Sequence, residues 1–272
     1  LPTLKQIVAA VNQLAPAELA ESWDQVGLQV DRAVSSVHQV MVALDLNSQV
    51  IRASDNKQID GFIVHHPLLF KPLTRIGHTT PQERILIHLI KNDQFVLVAH
   101  TNLDKAAQGI NQYLAELLGL TQVAVLEPAV DIYPVQNGSR QGLGRVGTLP
   151  EAVTLRAFGE FIKTKLPAKW LKVSGDPAKA IQKVALCSGS GGSLVDAALQ
   201  QQADLYLTGE LNYHAHWEAR EQGLAVIEAG HGTTEKCFVP LMTAYLNAVF
   251  TAPNALTIVD GALPEQEPYR VI

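Results

Sequence analysis

Six side chains able to bind a metal ion stand at three turns of one form. GFIVHHP carries His65 and His66, FVLVAHTNLD carries His100 and Asp104, and LAVIEAGHGTTE carries His231 and Glu235. Each turn follows an apolar run with the character of a buried strand. In α/β sheets, functional groups gather just beyond the carboxyl ends of strands, so a shared sheet end would bring these residues together. Singly, each has an ordinary use. A histidine at a strand end is commonly just hydrogen-bonded, Asp104 lies in the turn-forming TNLD, and Glu235 suits a first helical turn. Coincidence at three turns is a poorer account. Three imidazoles (His65, His66, His231) and two carboxylates (Asp104, Glu235) suit a pair of borderline divalent ions such as zinc, iron or manganese. Successive strand side chains point to opposite faces, and Pro67 holds His66 extended. One imidazole of the pair could then address each of two neighbouring ions.

The elements that must position these residues alternate between helix and strand. Leu4, Ile7, Val8, Val11 and Leu14 follow helical spacing, and Thr3 with Gln6 forms a capping box ahead of them. VHQVMVALDL (37–46) reads as a strand, followed by a short helix near 48–55 and then by GFIVHH. Thr80, Pro81 and Glu83 announce a helix running to about Asn92, and FVLVAHTN (95–102) is the next buried strand. A second α/β stretch follows the turn-rich DIYPVQNGSRQGLG (131–144). It holds GRVGTL, a helix near 151–165, KWLKVSG, KVALCSGSGG, a helix near 193–201, DLYLTGE and LAVIEAGH. A long helix from about Thr233 leads into LTIVDG. Helices alternating with strands define an α/β fold.

Composition narrows the function classes. With 272 residues, 47% hydrophobic and 17% charged, the chain has material for one large or two ordinary cores and no signature of disorder. A net charge of −5 argues against general nucleic-acid binding, which calls for a basic surplus. It leaves room for a local pocket taking a nucleotide or phosphorylated small molecule. Two cysteines, Cys187 and Cys237, imply no disulfide framework. LPTLKQIVAAVNQLAP lacks the form of a signal peptide, its missing initiator Met reads as a processed start, and no apolar run is long enough for a membrane span. The expectation is a cytoplasmic protein.

Two further stretches have competing readings. CSGSGGS (187–193) could cradle an anion with its amides, but it lacks the lysine of a P-loop and reads better as a tight strand-to-helix turn. GELNYHAHWEAR places His214 and Glu218 four apart on a helix, by default a solvated face, with His214 a candidate to line a site. Cys187 reads as a small buried residue.

SWDQVGLQV, VMVALDL, HHPLLF, HTNLD, CSGSGGSLVDAAL, DLYLTGELNYHAHWEA and EAGHGTTE occur in this order. Together they resemble the family named for NGG-one-interacting factor three, dinuclear metal-centre proteins also described as GTP cyclohydrolase one type two homologues. The resemblance spans nearly the whole chain. It implies two related α/β lobes with sheets flanked by helices, the second lobe inserted into the first. On this sequence that gives residues 1–130 with 230–272, carrying most metal ligands, and 131–229 as the insert. It implies a toroidal homohexamer and two divalent metal ions per chain, held by His65, His66, Asp104, His231 and Glu235. Gly232 stands where relatives often carry a bulkier residue. His100 and His214 match positions near the site, as second-shell or proton-transfer candidates, and Glu210 matches more weakly.

A dinuclear site implies metal-assisted hydrolysis of a nucleotide or phosphoester, of GTP cyclohydrolase type by the resemblance. The alternative is a non-catalytic ring for metal handling or protein interaction.

Overall fold

The computed structural model describes residues 1–129, 141–166, 168–252, 255–263, 267–269 and 271. Of the turn-rich segment at 131–144, residues 131–140 lie outside the described residues. By internal contacts the chain forms two units, Leu1–Leu103 with Phe238–Pro264, and Asp104–Cys237 with Glu265–Ile272.

In chain order the elements are α1 (Leu4–Leu14), β1 (Gly27–Val30), β2 (Gln39–Ala43), α2 (Ser48–Ser54), β3 (Gly61–Val64), α3 (Pro81–Lys91), β4 (Phe95–Val98) and α4 (Thr101–Lys105). They continue with α5 (Ile110–Leu117), β5 (Thr121–Pro128), β6 (Gly142–Thr154), α6 (Leu155–Lys165), β7 (Lys172–Ser174), β8 (Ala180–Ser190), α7 (Val195–Gln200) and β9 (Leu205–Glu210). Last come α8 (Tyr213–Glu221), β10 (Ala225–Glu228), α9 (His231–Glu235), α10 (Phe238–Val249) and β11 (Thr257–Asp260). The two sheets are flanked by helices, the α/β architecture read from the sequence. The second unit begins ahead of the turn-rich segment, where β5 pairs with β6 in the second sheet.

The first unit is built on a five-stranded sheet of order β1-β4-β3-β2-β11. β2, β3, β4 and β11 run parallel, and β1 closes one edge antiparallel to β4. Every residue of β3 and β4 is buried, which explains the uninterrupted apolar runs GFIV and FVLV. Strands covered on both faces cannot alternate with polar residues. Met41, Phe62, Val64, Ile85, Leu89 and Val96 share one cluster that seats α3 on the sheet. Burying each such side chain stabilises the fold by about 1.5–3 kcal/mol. Both capping boxes form, Thr3 with Gln6 and Thr80 with Glu83, the latter with Pro81 in the first turn. The register aligns the strand ends: Ala43 pairs with Val64, and Val64 with Val98.

The second unit carries a six-stranded sheet of order β5-β6-β8-β9-β10-β7, with β8, β9 and β10 parallel and the rest antiparallel. Alternate residues of β8 supply two cores. Val184 and Leu186 pack with α5 and α6 through Leu114, Phe158 and Ile162, while Ala185 and Cys187 face α7 and α8 with Val195, Ala198 and Ala219. Its strand ends are aligned too: Thr208 pairs with Cys187 on one side and Glu228 on the other. Residues beyond that row, from Ser188, Gly209 and Ala229 onward, therefore emerge at one edge. Two helix readings changed. The helix expected at 151–165 starts at Leu155 because β6 runs on to Thr154. The helix from Thr233 is two, α9 and α10. The stretch after CSGS is a short 3-10 turn leading into α7, so the turn reading of CSGSGGS holds.

Candidate metal centre

In the first unit, the aligned ends of β2, β3 and β4 deliver Asp45, His65 with His66, and His100 to one edge of the sheet. The strand ends at Val64, and the amides of His65 and His66 both donate to the carbonyl of Leu44, at 3.2 and 3.0 Å. That shared acceptor bends the chain and overrides strand alternation. Both rings come to the same side, with centroids 5.1 Å apart. His100 joins them, its ring 5.1 Å from that of His65 and 5.6 Å from that of His66. One nitrogen from each of the three lies within 4.8 Å of the others.

Each of these imidazoles binds an oxygen acceptor through Nδ1. His65 donates to the carbonyl of Ala99 at 2.7 Å, His66 to Asp45 Oδ1 at 2.8 Å, and His100 to Asp24 Oδ1 at 2.8 Å. Carbonyl and carboxylate oxygens only accept, so in the neutral rings the proton is on Nδ1 and the lone pair on Nε2. This is the tautomer and the outer-shell arrangement of metal-ligating histidine. His65 is fully buried, and Phe238 lies 5.4 Å from its ring. Trp23, with its ring 6.3 Å from His100 and 5.9 Å from Phe70, covers the outer side. The Asp24 side chain is buried beside His100 and also accepts from the Thr101 amide and hydroxyl. Burial pushes its carboxyl up, but the bonds from His100 and Thr101, with the charge of His100, outweigh it and take the pKa down to about 2.

In the second unit, α9 begins directly past β10 and places His231 and Glu235 one turn apart. His231 donates from Nδ1 to Glu210 Oε1 at 2.5 Å, and its Nε2 lies 3.1 Å from Glu235 Oε2. With the Nδ1 proton committed to Glu210, the neutral ring directs a lone pair at a carboxylate oxygen. Two such donors repel unless a proton or a cation stands between them. The donor set thus fits a divalent ion, here as in the first unit.

The backbone under this pair is specialised. Gly189 has φ +62, and a Cβ there would collide with Glu235 Oε1. Its amide donates to Thr234 Oγ1 at 3.0 Å, which ties the end of β8 to α9. The fully buried Asn111 accepts from the Ser188 amide at 2.8 Å and donates to the Asp104 carbonyl at 3.1 Å. Asp104 is thereby fixed to the same turn that packs against Glu235. Arg145, fully buried, donates to the carbonyls of Ala106, Gly144 and Gly142 at 2.7, 2.8 and 2.9 Å. Burial pushes its guanidinium down to about 10. Cys187 and Cys237 are buried thiols whose pKa burial raises, so neither is placed as a nucleophile.

Each unit therefore holds part of the set read from the sequence: His65, His66 and His100 in the first, and Asp104, His231 and Glu235 in the second. His214 is exposed on α8 with its ring 5.5 Å from Tyr213, and among the described residues no ligand grouping includes it. The residues that sequence reasoning passed over are the orienting ones, Asp24, Asp45 and Asn111. Asp24 and Asp45 lie in SWDQVGLQV and VMVALDL, but their partners are 76 and 21 residues away.

Fold and site define an α/β protein with a histidine-rich candidate metal centre. Residues 2–260 match the profile of the family described as Duf34/NIF3 (NGG1p interacting factor 3), and the chain belongs to that family. A relative from Streptomyces coelicolor named "GTP cyclohydrolase 1 type 2 homolog" is 35% identical over 252 residues, 92% of this chain and 87% of the relative. Among solved structures, a Bacillus cereus protein related to NIF3 superposes with a TM-score of 0.86 at 24% identity, covering 100% of this chain and 99% of that one. "Reduced HcgD" from Methanocaldococcus jannaschii gives a TM-score of 0.77 at 30% identity, with 97% and 98% covered.

Proposed function

We propose that the chain is a dinuclear metal-binding protein acting as a metal-dependent hydrolase on a nucleotide or phosphoester. In this reading the ligands are His65, His66, Asp104, His231 and Glu235, and the ions are two divalent ions of zinc, iron or manganese. The observation that carries it is the shared protonation pattern: His65, His66, His100 and His231 all commit Nδ1 to an oxygen acceptor. Four imidazoles set alike reflect a common demand for Nε2 lone pairs. Names of relatives, such as the Streptomyces coelicolor homologue, support a nucleotide substrate. The family resemblance supports a homohexamer.

Bound ions of this kind would supply Lewis acidity and lower the pKa of water at neutral pH. The residues of the chain do the rest. Asp24 holds His100 in one orientation and stabilises its imidazolium, which suits His100 to accept and return a proton at Nε2. Asp45 does the same orienting work for His66, and Glu210 for His231. Trp23 and Phe238 limit water around the imidazoles. The reading has no step for His214.

Elemental mass spectrometry of the purified protein, beside His65→Ala and Asp104→Ala, tests the centre. About two equivalents of metal per chain, reduced in both variants, is the expected result. The loaded protein is then assayed on nucleoside triphosphates and simple phosphoesters. Metal that binds without turnover on either class would leave the metal-handling or interaction reading. No bound metal even after reconstitution would overturn both.

A further inference from the structure

A concavity of the second unit carries chemistry that the metal centre does not use. It has a volume of about 400 Å³ and is lined by Lys172, Ser174, Tyr213, His216, Trp217 and Arg220, among others. That volume lies within the range of small-molecule sites, roughly 300–1,000 Å³.

The floor is a fixed chain of hydrogen bonds. β7 pairs with β10 so that Lys172 stands opposite Glu228, and its Nζ donates to Glu228 Oε1 at 2.8 Å. Glu228 Oε2 accepts from the Leu211 amide and from His216 Nε2, both at 3.1 Å. A carboxylate only accepts, so the neutral His216 carries its proton on Nε2 and presents a lone pair at Nδ1. Ser174 Oγ, 2.8 Å from Nδ1, must then be the donor. With its proton committed, that hydroxyl can offer an incoming group only an acceptor.

The wall is aromatic and cationic. Tyr213 and Trp217 stand one turn apart on α8 with ring centroids 6.4 Å apart, and they are 69% and 45% exposed. Ala219 is the buried residue of that helix, so these rings add little to the core and folding does not account for them. The Arg220 guanidinium lies 5.5 Å from the Trp217 ring centroid. Lys172 and Glu228 offset one another in charge, which leaves Arg220 as the surplus cation of the cleft.

We propose that this cleft binds a flat ring bearing a phosphate or carboxylate. The ring stacks on Trp217 and Tyr213, the anion meets Arg220 and Lys172, and a ring N–H or O–H donates to Ser174 Oγ. The proposal does not depend on the metal centre.

Isothermal titration calorimetry of the full chain tests it, with adenosine 5′-monophosphate as the phosphate probe and 4-hydroxybenzoate as the carboxylate probe. The expected result is saturable binding of one probe, and which one identifies the anion. Trp217→Ala and Arg220→Ala, both at exposed positions, should each weaken binding by about tenfold or more, with Arg220→Lys partly restoring it. Chelator-treated protein should bind equally well, which separates this cleft from the metal centre. The proposal is overturned if neither probe binds up to about 5 mM, or if both alanine variants bind like wild type. It is also overturned if Trp217→Ala instead changes the oligomeric state, which would make the aromatic pair a contact between copies.

Discussion

Asp24 Oδ1 accepts a hydrogen bond from His100 Nδ1 at 2.8 Å, a pair separated by 76 residues of sequence and closed within one unit. The carboxylate side chain is buried while the imidazole keeps 16% exposure. Asp24 is thus a fixed anchor that decides where His100 points. Carboxylates holding the far nitrogen of a ligating histidine commonly contribute about 10–100-fold to metal affinity, the place that Asp45 holds beside His66. Asp45→Asn should lower metal affinity by about that factor, whereas Asp24→Asn, which acts on the proton-carrying His100, should leave it nearly unchanged. Competition with a chromophoric chelator measures both, and a loss in Asp24→Asn as large as that in Asp45→Asn would make His100 a ligand.

The Asp24 carboxyl makes a prediction in acid. Its folded pKa of about 2 lies below the ordinary value of 3.8, so its stabilising contribution is fully present above about pH 4. It is lost as pH falls through about 2, where the folded form also takes up the proton. In metal-free protein, the stability difference between wild type and Asp24→Asn should be present at about pH 5 and shrink below it as the acid carboxyl titrates. Urea unfolding at a series of pH values follows it. A difference that persisted undiminished at pH 2 would show that Asp24 acts through something other than its charge.

Gly189→Ala should be costly for two independent reasons. The backbone there has φ +62, and the added methyl would collide with Glu235 Oε1. A left-handed non-glycine residue alone costs about 1–3 kcal/mol, which in a chain of this size lowers Tm by roughly 2–4 °C for each kcal/mol. Displacement of Glu235 should also reduce bound metal. Scanning calorimetry with elemental analysis reads both, and retained metal with a lowered Tm would confine the effect to the backbone.

Arg145→Met should destabilise strongly. The guanidinium satisfies the carbonyls of Gly142, Gly144 and Ala106 and the side-chain oxygen of Gln112. Without it these buried acceptors lose their donor, at about 1–3 kcal/mol for each group left unsatisfied. We expect a loss of at least about 2 kcal/mol in urea unfolding. A change below about 0.5 kcal/mol would mean that water replaces the guanidinium.

Much of the frame was legible in the sequence because local chemistry fixes it. Thr3 with Gln6, and Thr80 with Pro81 and Glu83, mark helix starts through bonds made within one turn. GFIV and FVLV announce strands buried on both faces. The edge strands were harder. In β1 the burial is partial and GLQV shows no apolar run, while β5, mostly exposed, carries only the short VAVL. PEAVT was read as the start of a helix because nothing local tells that β6 continues through it to pair with β8. The candidate ligands were legible by type and by their place after apolar runs. The partners that orient them were not, since Asp24, Asp45 and Asn111 act over distances in sequence that spacing does not encode. The bend that brings His65 and His66 to one side was hidden for the same reason, as it depends on the carbonyl of Leu44, just past the end of β2.

The aligned strand ends of the first unit set which insertions and deletions the chain can absorb. Ala43, Val64 and Val98 stand in one row, and Asp45, His65, His66 and His100 follow within two residues of it. Removing one residue from β2, β3 or β4 would draw that strand's chemistry back by about 3.3 Å and turn it to the opposite face. Between residues 71 and 79 the chain is bend and coil, largely exposed, and lies beyond the row. Length changes there leave the row untouched. A tolerance map of single-residue deletions would therefore trace the strand register directly, intolerant through 39–43, 61–64 and 95–98 and permissive across 71–79.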